Sequence, residues 1–119
     1  MDTAGASILI VEDDPSLRLV CRVNLELENF HVREAEGVAE ARAAVAAERP
    51  ALVFLDLHLG AGASDGFLDE LRAQGVPVVL VSGTVDVAEY EGRATAVIPK
   101  PFDPADLVAL ARRHADMLG

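Results

Sequence analysis

The sequence is poor in aromatic residues, cysteine and positive charge, and it has no long hydrophobic run. Aromatic side chains make up only 4% of the 119 residues and tryptophan is absent, although 51% of the residues are hydrophobic. The single cysteine, Cys21, excludes an intrachain disulfide and a cysteine-based zinc site. We expect it to be a small core residue, because it lies at an apolar position of a helical pattern. This composition is typical of one globular domain.

The charge balance and the hydropathy limit the partners of the protein. Ten basic residues stand against 20 acidic ones, which gives a net charge of −10. Because this charge repels nucleic acid and acidic membranes, we expect neither as a partner. No apolar run approaches the roughly 18 residues of a membrane span, and the N-terminus lacks a basic, apolar signal segment. We therefore expect a cytoplasmic protein.

Short apolar runs alternate with helical patterns along the chain. Three runs, ILIV, LVFL and VPVVLV, are nearly continuous, which is typical of strands buried on both faces of a parallel sheet. The alternation predicts a doubly wound α/β sheet with helices on both faces. The predicted strands are 7–11, 30–34, 51–55, 77–81 and 95–98, and the predicted helices are 15–28, 38–48, 66–73 and 104–118.

Two Asp-Pro pairs mark the starts of the first and last helices. Asp14 and Asp103 are predicted N-caps, because each is followed by a proline, whose missing N–H costs nothing at the first helical position. The predicted apolar face of the first helix has four members: Leu17, Val20, Cys21 and Leu25.

Reactive side chains follow four of the predicted strands. In strand order they are Glu12 and Asp13, then Asp56, Ser82 and Lys100. Because ligands of such sheets bind outside the carboxyl ends of the strands, we expect these side chains to share one pocket. Three close carboxylates and one lysine need a further cation, and an all-oxygen ligand set suits Mg²⁺. One carboxylate could then attack a phosphoryl group while a hydroxyl and an ammonium bind its oxygens.

Each of these residues also has a plainer interpretation when it is taken alone. Glu12 and Asp13 could form a solvated turn, and Asp56 could begin a loop. Ser82 could be a loop serine and Lys100 a surface lysine. Their joint occurrence at four strand ends favours the site. The three histidines have no metal-ligand spacing, so we expect no histidine metal site.

Four segments of the chain resemble the receiver domain of two-component response regulators: ILIVEDDPSLR, ALVFLDLHLGAGASDGFLDEL, PVVLVSGT and VIPKPFDPADL. The resemblance implies one receiver domain over residues 1–119, with a core of about 7–118. It also implies a flavodoxin-like sheet in the order 2-1-3-4-5. The fifth strand would then be an edge, which suits Pro99, and the Lys100–Pro101 bond would be cis.

The resemblance implies a role for each residue of the predicted pocket. Asp56 would accept a phosphoryl group from a histidine kinase or a histidine phosphotransfer protein, and Ser82 and Lys100 would bind its oxygens. Mg²⁺ would be held by four residues, namely Asp56, Asp13, Glu12 through water, and His58 through its backbone carbonyl.

The region that we expect to read out activation, which comprises the segment 84–93 and Val97 and is here called the readout region, departs from the family pattern, as does the loop after Asp56. The loop after Asp56 is longer than usual, and the chain between Ser82 and Lys100 is shorter by roughly one helical turn. The family's switch aromatic is replaced by Val97, and Tyr90 is either its substitute or a packing residue. We expect activation to be read through the segment 84–93.

Three functions remain open from the sequence. The first is a phosphorylatable receiver that signals through protein contacts, catalyses only its own phosphorylation and dephosphorylation, and carries no output domain. This receiver could be a whole regulator or part of a longer protein. The second is a Mg²⁺-dependent phosphatase, which the adjacent acids disfavour because haloacid-dehalogenase-type enzymes use Asp-x-Asp. The third is a degenerate receiver, but such proteins lose the acceptor aspartate or the lysine.

Overall fold

In the residues that it describes, the computed structural model shows a five-stranded parallel sheet with two helices against each face. It describes residues 6–57, 63–83, 90 and 92–115, except for the side chains at 63 and 65. The strands are β1 (Ser7–Val11), β2 (His31–Ala35), β3 (Leu52–Asp56), β4 (Val78–Ser82) and β5 (Ala96–Pro99). The helices are α1 (Pro15–Glu26), α2 (Val38–Ala47), α3 (Ala63–Ala73) and α4 (Pro104–Ala115).

The order of the strands confirms the predicted fold. It is β2-β1-β3-β4-β5, and every neighbouring pair is parallel. This arrangement makes β5 an edge strand, and Pro99 is its last residue. The Lys100–Pro101 peptide bond is cis, as the resemblance implied.

Four of the five strands begin and end one residue later than the apolar runs predict. The difference matters most at β3 and β4, which end on Asp56 and Ser82 instead of stopping before them. Asp56 pairs with Val81, and the Leu57 N–H donates to the carbonyl of Val81 at 3.1 Å. Backbone pairing, rather than hydropathy, therefore sets the strand ends, and both polar residues are held by the sheet.

The helix bounds also differ from the predicted ones. The first helix ends at Glu26 rather than at residue 28, because Asn29 is left-handed (φ 70°) and the Phe30 N–H donates to Leu25. The third helix begins at Ala63, three residues before the predicted start at residue 66. The last one is described to Ala115, so the predicted end at 118 lies outside the described residues. None of the described helices is long and apolar enough to cross a membrane.

Both predicted N-caps are confirmed. The side chain of Asp14 accepts hydrogen bonds from the N–H groups of Ser16 and Leu17, at 2.9 and 3.4 Å. The side chain of Asp103 accepts one from the N–H of Ala105 at 2.9 Å. These caps satisfy N–H groups that have no partner within the first turn of a helix.

The core consists of two layers, one on each face of the sheet. Residues such as Leu9 and Val11 point to α2 and α3, whereas Ile8 and Ile10 point to α1 and α4. Alternate residues of one strand therefore serve opposite layers, as the nearly continuous apolar runs indicated.

Helix α1 packs on the sheet through Cys21 and Leu25, which are both buried. Cys21 is 4% exposed and is therefore the small core residue that the sequence predicted, and burial raises the pKa of its thiol to about 11. Val20, which the sequence assigned to the apolar face of this helix, does not share that burial, because 43% of its surface is exposed. Adjacent helical positions differ by roughly 100° around the axis, so Val20 turns away when Cys21 faces the sheet.

Candidate functional site

The carboxyl ends of the strands bring the predicted site residues together. Glu12 follows β1 directly, Asp56 ends β3, and Lys100 follows β5. The Nζ atom of Lys100 lies 3.0 Å from Oε1 of Glu12 and 3.4 Å from Oδ2 of Asp56. Ser82 ends β4 opposite Pro99, and its carbonyl accepts a hydrogen bond from the Lys100 N–H at 2.9 Å. Side chains that are distant in sequence thus meet at one edge of the sheet.

A cluster of carboxylates lies at the centre of this carboxyl-terminal end of the sheet, which we call the acidic edge. Carboxylate oxygens of Glu12, Asp13 and Asp56 lie within 4.8 Å of one another. Glu12 and Asp56 are buried, with 4% and 2% of their surfaces exposed, whereas Asp13 is exposed. Buried charges need partners, and the single ammonium of Lys100 cannot neutralise three carboxylates. The cluster therefore fits a divalent cation that prefers oxygen ligands. His58, the remaining predicted ligand, lies outside the described residues.

The pKa of Glu12 is raised to about 7, mainly by its burial and to a smaller extent by the neighbouring carboxylate of Asp56. The Asp14 N–H, 3.1 Å from Oε2 of Glu12, and the Lys100 ammonium act in the opposite direction. Burial lowers the pKa of Lys100, but its contacts with Glu12 and Asp56 outweigh that effect and raise the pKa above its ordinary value. A bound cation would remove the need for Glu12 to hold a proton.

Two polar contacts at this edge were missing from the sequence prediction. The buried Ser64 hydroxyl on α3 donates to the backbone carbonyl of Asp56 at 2.8 Å. Nη1 of Arg18 on α1 donates to the backbone carbonyl of Glu12 at 2.8 Å. Both donors lie on helices, so the search for reactive residues after strands could not find them.

The readout region packs against the core layer on the side of α2 and α3. Tyr90 is buried in that layer, and the half-buried Val97 packs against it. The Arg93 guanidinium lies 5.1 Å from the centre of the Tyr90 ring, and its Nη2 atom lies 3.4 Å from Oδ1 of Asp69. Tyr90 is thus a packing residue in this structure, and its role as a substitute for the switch aromatic stays a prediction. The long loop at 58–62 and the segment 84–89 lie outside the described residues.

The comparison with protein families settles the identity of the fold. The family model of the response regulator receiver domain matches residues 8–112. The chain belongs to this receiver domain family. Its general function is therefore that of a receiver in two-component systems, in which a kinase supplies a phosphoryl group.

Curated relatives share a little over a third of their residues with this receiver. The DNA-binding response regulator MtrA of Mycolicibacterium smegmatis is 37% identical over 117 residues, which cover 94% of this chain and 51% of MtrA. The nitrogen assimilation regulatory protein NtrX of Azorhizobium caulinodans is 36% identical over 119 residues, covering 93% of this chain and 26% of NtrX. The receiver thus spans about half of the first relative and about a quarter of the second.

Solved structures of receiver domains superpose along nearly the whole chain. The receiver domain of NtrX from Brucella abortus has a TM-score of 0.83 and 32% identity, covering 92% of this chain and 98% of that one. A CheY-like receiver domain protein from Methanospirillum hungatei has a TM-score of 0.87 and 25% identity, covering 96% of each chain. The five-stranded parallel fold is thus shared with these receiver domains.

Proposed function

We propose that Asp56 accepts a phosphoryl group from a histidine kinase or a histidine phosphotransfer protein. The observation that carries the proposal is the buried Asp56 carboxylate, with the Lys100 ammonium 3.4 Å away and two further carboxylates within 4.8 Å. A carboxylate oxygen of Asp56 attacks phosphorus, a new O–P bond forms, and the N–P bond of the phosphohistidine breaks. The imidazole leaves with the bonding electron pair and takes up a proton, and the product is an acyl phosphate.

The same carboxylates would hold Mg²⁺. Asp13 and Asp56 would bind it directly, Glu12 through water, and His58 through its backbone carbonyl. When bound, Mg²⁺ supplies positive charge that neutralises the phosphoryl oxygens. Asp13 is exposed, which leaves the cluster accessible to a cation from solvent.

Lys100 and Ser82 would bind the other phosphoryl oxygens. The ammonium of Lys100 lies between the carboxylates of Glu12 and Asp56, so it is already beside the acceptor oxygen. Ser82 is buried at the end of the neighbouring strand, where its hydroxyl could donate to a phosphoryl oxygen. Such prearranged donors stabilise charge without reorganising during the transfer.

This proposal makes the chain a signalling receiver rather than an enzyme with a separate substrate. It would catalyse only its own phosphorylation and dephosphorylation, and it would signal in the cytoplasm through contacts with proteins. Its net charge of −10 argues against direct DNA binding by this chain, although the longer relative MtrA is named a DNA-binding regulator.

Intact mass measurement tests the proposal. The purified chain is incubated with a small phosphodonor, with and without Mg²⁺, and released inorganic phosphate is measured in parallel. We expect a retained gain of one phosphoryl group that requires Mg²⁺. Continuous phosphate release without a retained adduct would indicate a phosphatase, and neither product would indicate a degenerate receiver. Either result would overturn the proposal.

A further inference from the structure

The Arg18 side chain connects helix α1 with two neighbouring strands. Its Nη1 atom donates to the Glu12 carbonyl at 2.8 Å, and its Nε atom donates to Oε1 of Glu34 on β2 at 3.1 Å. Only 15% of the Arg18 side chain is exposed, so water competes little for these bonds. The other Glu34 oxygen, Oε2, accepts a separate bond from Nη1 of Arg22 at 2.7 Å. The two bonds that Arg18 itself makes, to Glu34 and to Glu12, fix the orientation of its guanidinium.

These contacts hold the backbone of Glu12 on both sides. Its N–H donates to the carbonyl of Ala35 at 3.0 Å, and its carbonyl accepts from Arg18. The carbonyl belongs to the peptide plane that joins Glu12 to Asp13. A rotation of that plane would swing the Asp13 side chain, because the plane includes the Asp13 Cα atom. Asp13 is exposed, so packing contributes little to its direction.

We propose that Arg18 is a positioning residue that directs the Asp13 carboxylate toward the cation by fixing the Glu12 carbonyl. The proposal rests on the proposed function, since it requires the acidic cluster to bind Mg²⁺. Arg18 acts through the backbone and needs no contact with the cation or with the phosphoryl group.

Removal of the Arg18 charge separates positioning from simple electrostatics. The Arg18 guanidinium is a positive charge at the Glu12 backbone and repels a divalent cation, so its loss alone should strengthen Mg²⁺ binding. Loss of positioning should weaken it, since partners that orient metal ligands typically contribute about 10–100-fold in affinity. The two explanations therefore predict changes of opposite sign.

The experiment is a Mg²⁺ titration of the cation-free chain, followed by NMR amide shifts, for wild type, Arg18→Met and Arg22→Met. Arg22 is the matched control because it loses the same charge and the same partner, Glu34, but does not hold the Glu12 carbonyl. We expect Arg18→Met to raise the Mg²⁺ dissociation constant about tenfold, and Arg22→Met to change it by less than about twofold.

If wild type binds Mg²⁺, unchanged or tighter Mg²⁺ binding by Arg18→Met overturns this inference alone. An equal loss of Mg²⁺ affinity in Arg22→Met also overturns it. A wild type without Mg²⁺ binding overturns the proposed function instead. If Arg18→Met does not fold, Arg18→Lys is used instead. A lysine ammonium lacks the planar set of N–H donors with which the guanidinium binds the Glu12 carbonyl and Glu34 at the same time. We expect it to bind Mg²⁺ about threefold more weakly than wild type, and wild-type affinity would overturn the inference.

Discussion

The acidic edge and the readout region of this receiver are built in different ways. At the acidic edge, side chains of three strand ends lie 3.0 to 3.4 Å apart around Lys100. The carbonyl of Asp56 is also held by Ser64. The described part of the readout region packs Tyr90 into the core layer of α2 and α3, and it also contacts α3 through an exposed 3.4 Å ion pair, Arg93 with Asp69. It turns at Gly92, whose φ of +84° is unstrained only for glycine.

The difference separates the chemistry from its readout. Phosphoryl transfer needs charges at fixed mutual distances, and strand ends of one sheet supply them. A readout needs two arrangements of similar free energy, and an exposed ion pair and a glycine turn favour such a change more than closely spaced buried charges do. The geometry of the acidic edge can therefore stay fixed while the readout region, which includes Val97, changes its arrangement. We expect variants at the two regions to have separable effects.

The largest effect should come from Asp56→Asn, which keeps the size of the side chain but removes the nucleophile. We expect complete loss of the phosphoryl adduct in intact mass measurements. Arg93→Ala, in the readout region, should form the adduct to the wild-type extent because it leaves the acidic edge intact. An Asp56→Asn protein that still forms a hydroxylamine-sensitive adduct would show that the acceptor is another residue.

The next effect concerns Mg²⁺ and thermal stability. Because Mg²⁺ should bind only the folded acidic cluster, it should stabilise the chain by about 3 kcal/mol at 100 times its dissociation constant. This corresponds to a rise in Tm on the order of 10 °C. Asp13→Ala should abolish most of the rise. Asp14→Ala is the matched control, since it removes a helix cap at the adjacent position and should keep the Mg²⁺ response. Equal responses in wild type and Asp13→Ala would place the cation elsewhere.

A smaller effect should appear in the pH dependence of the cation-free protein. Glu12 has a pKa near 7 in the folded chain and near 4.5 when unfolded, so the folded state binds the proton more tightly. The resulting stabilisation is complete below pH 4.5 and is lost as the pH rises through 7. Between pH 6 and 8 we expect a loss of about 1 kcal/mol in the free energy of unfolding.

Glu12→Gln isolates this contribution, since the other groups that titrate near pH 7 remain. Denaturant unfolding at pH 6 and pH 8 should show a larger loss for wild type than for this variant. For the same reason, saturating Mg²⁺ should raise the wild-type Tm more at pH 8 than at pH 6. Identical pH profiles of wild type and Glu12→Gln would contradict the raised pKa.

The smallest effect should be the local change that reads out activation. We expect a beryllofluoride phosphoryl mimic to alter amide hydrogen exchange in the segment 84–93, with Gly83 and Gly92 as the flexible points. Val97 has a short β-branched side chain and no ring to rotate. Changes confined to Val97 and its strand neighbours would show that a conventional switch operates by other means.

The sequence predicted which side chains meet at the strand ends better than it predicted the contacts that support them. Asp56 and Lys100 follow apolar runs, which is a local pattern, and the sheet brings their side chains to 3.4 Å. The contact of Arg18 with Glu12 depends on how α1 packs beside β2, and no local pattern records that packing. The exposure of Val20 was missed for a related reason, because the periodicity of apolar residues does not say which of two adjacent apolar stripes of a helix faces the sheet. The strand order came from the resemblance to the family.

Chemical localisation of the phosphoryl group tests the central claim most directly. Borohydride reduces an aspartyl phosphate to the alcohol, which converts the phosphorylated aspartate into homoserine. The wild-type chain is treated with phosphodonor and Mg²⁺, reduced, digested and sequenced by mass spectrometry. The account predicts homoserine at position 56 and at no other aspartate. Homoserine at position 13 or 14, or none anywhere in a chain that carries the added phosphoryl mass, would contradict it.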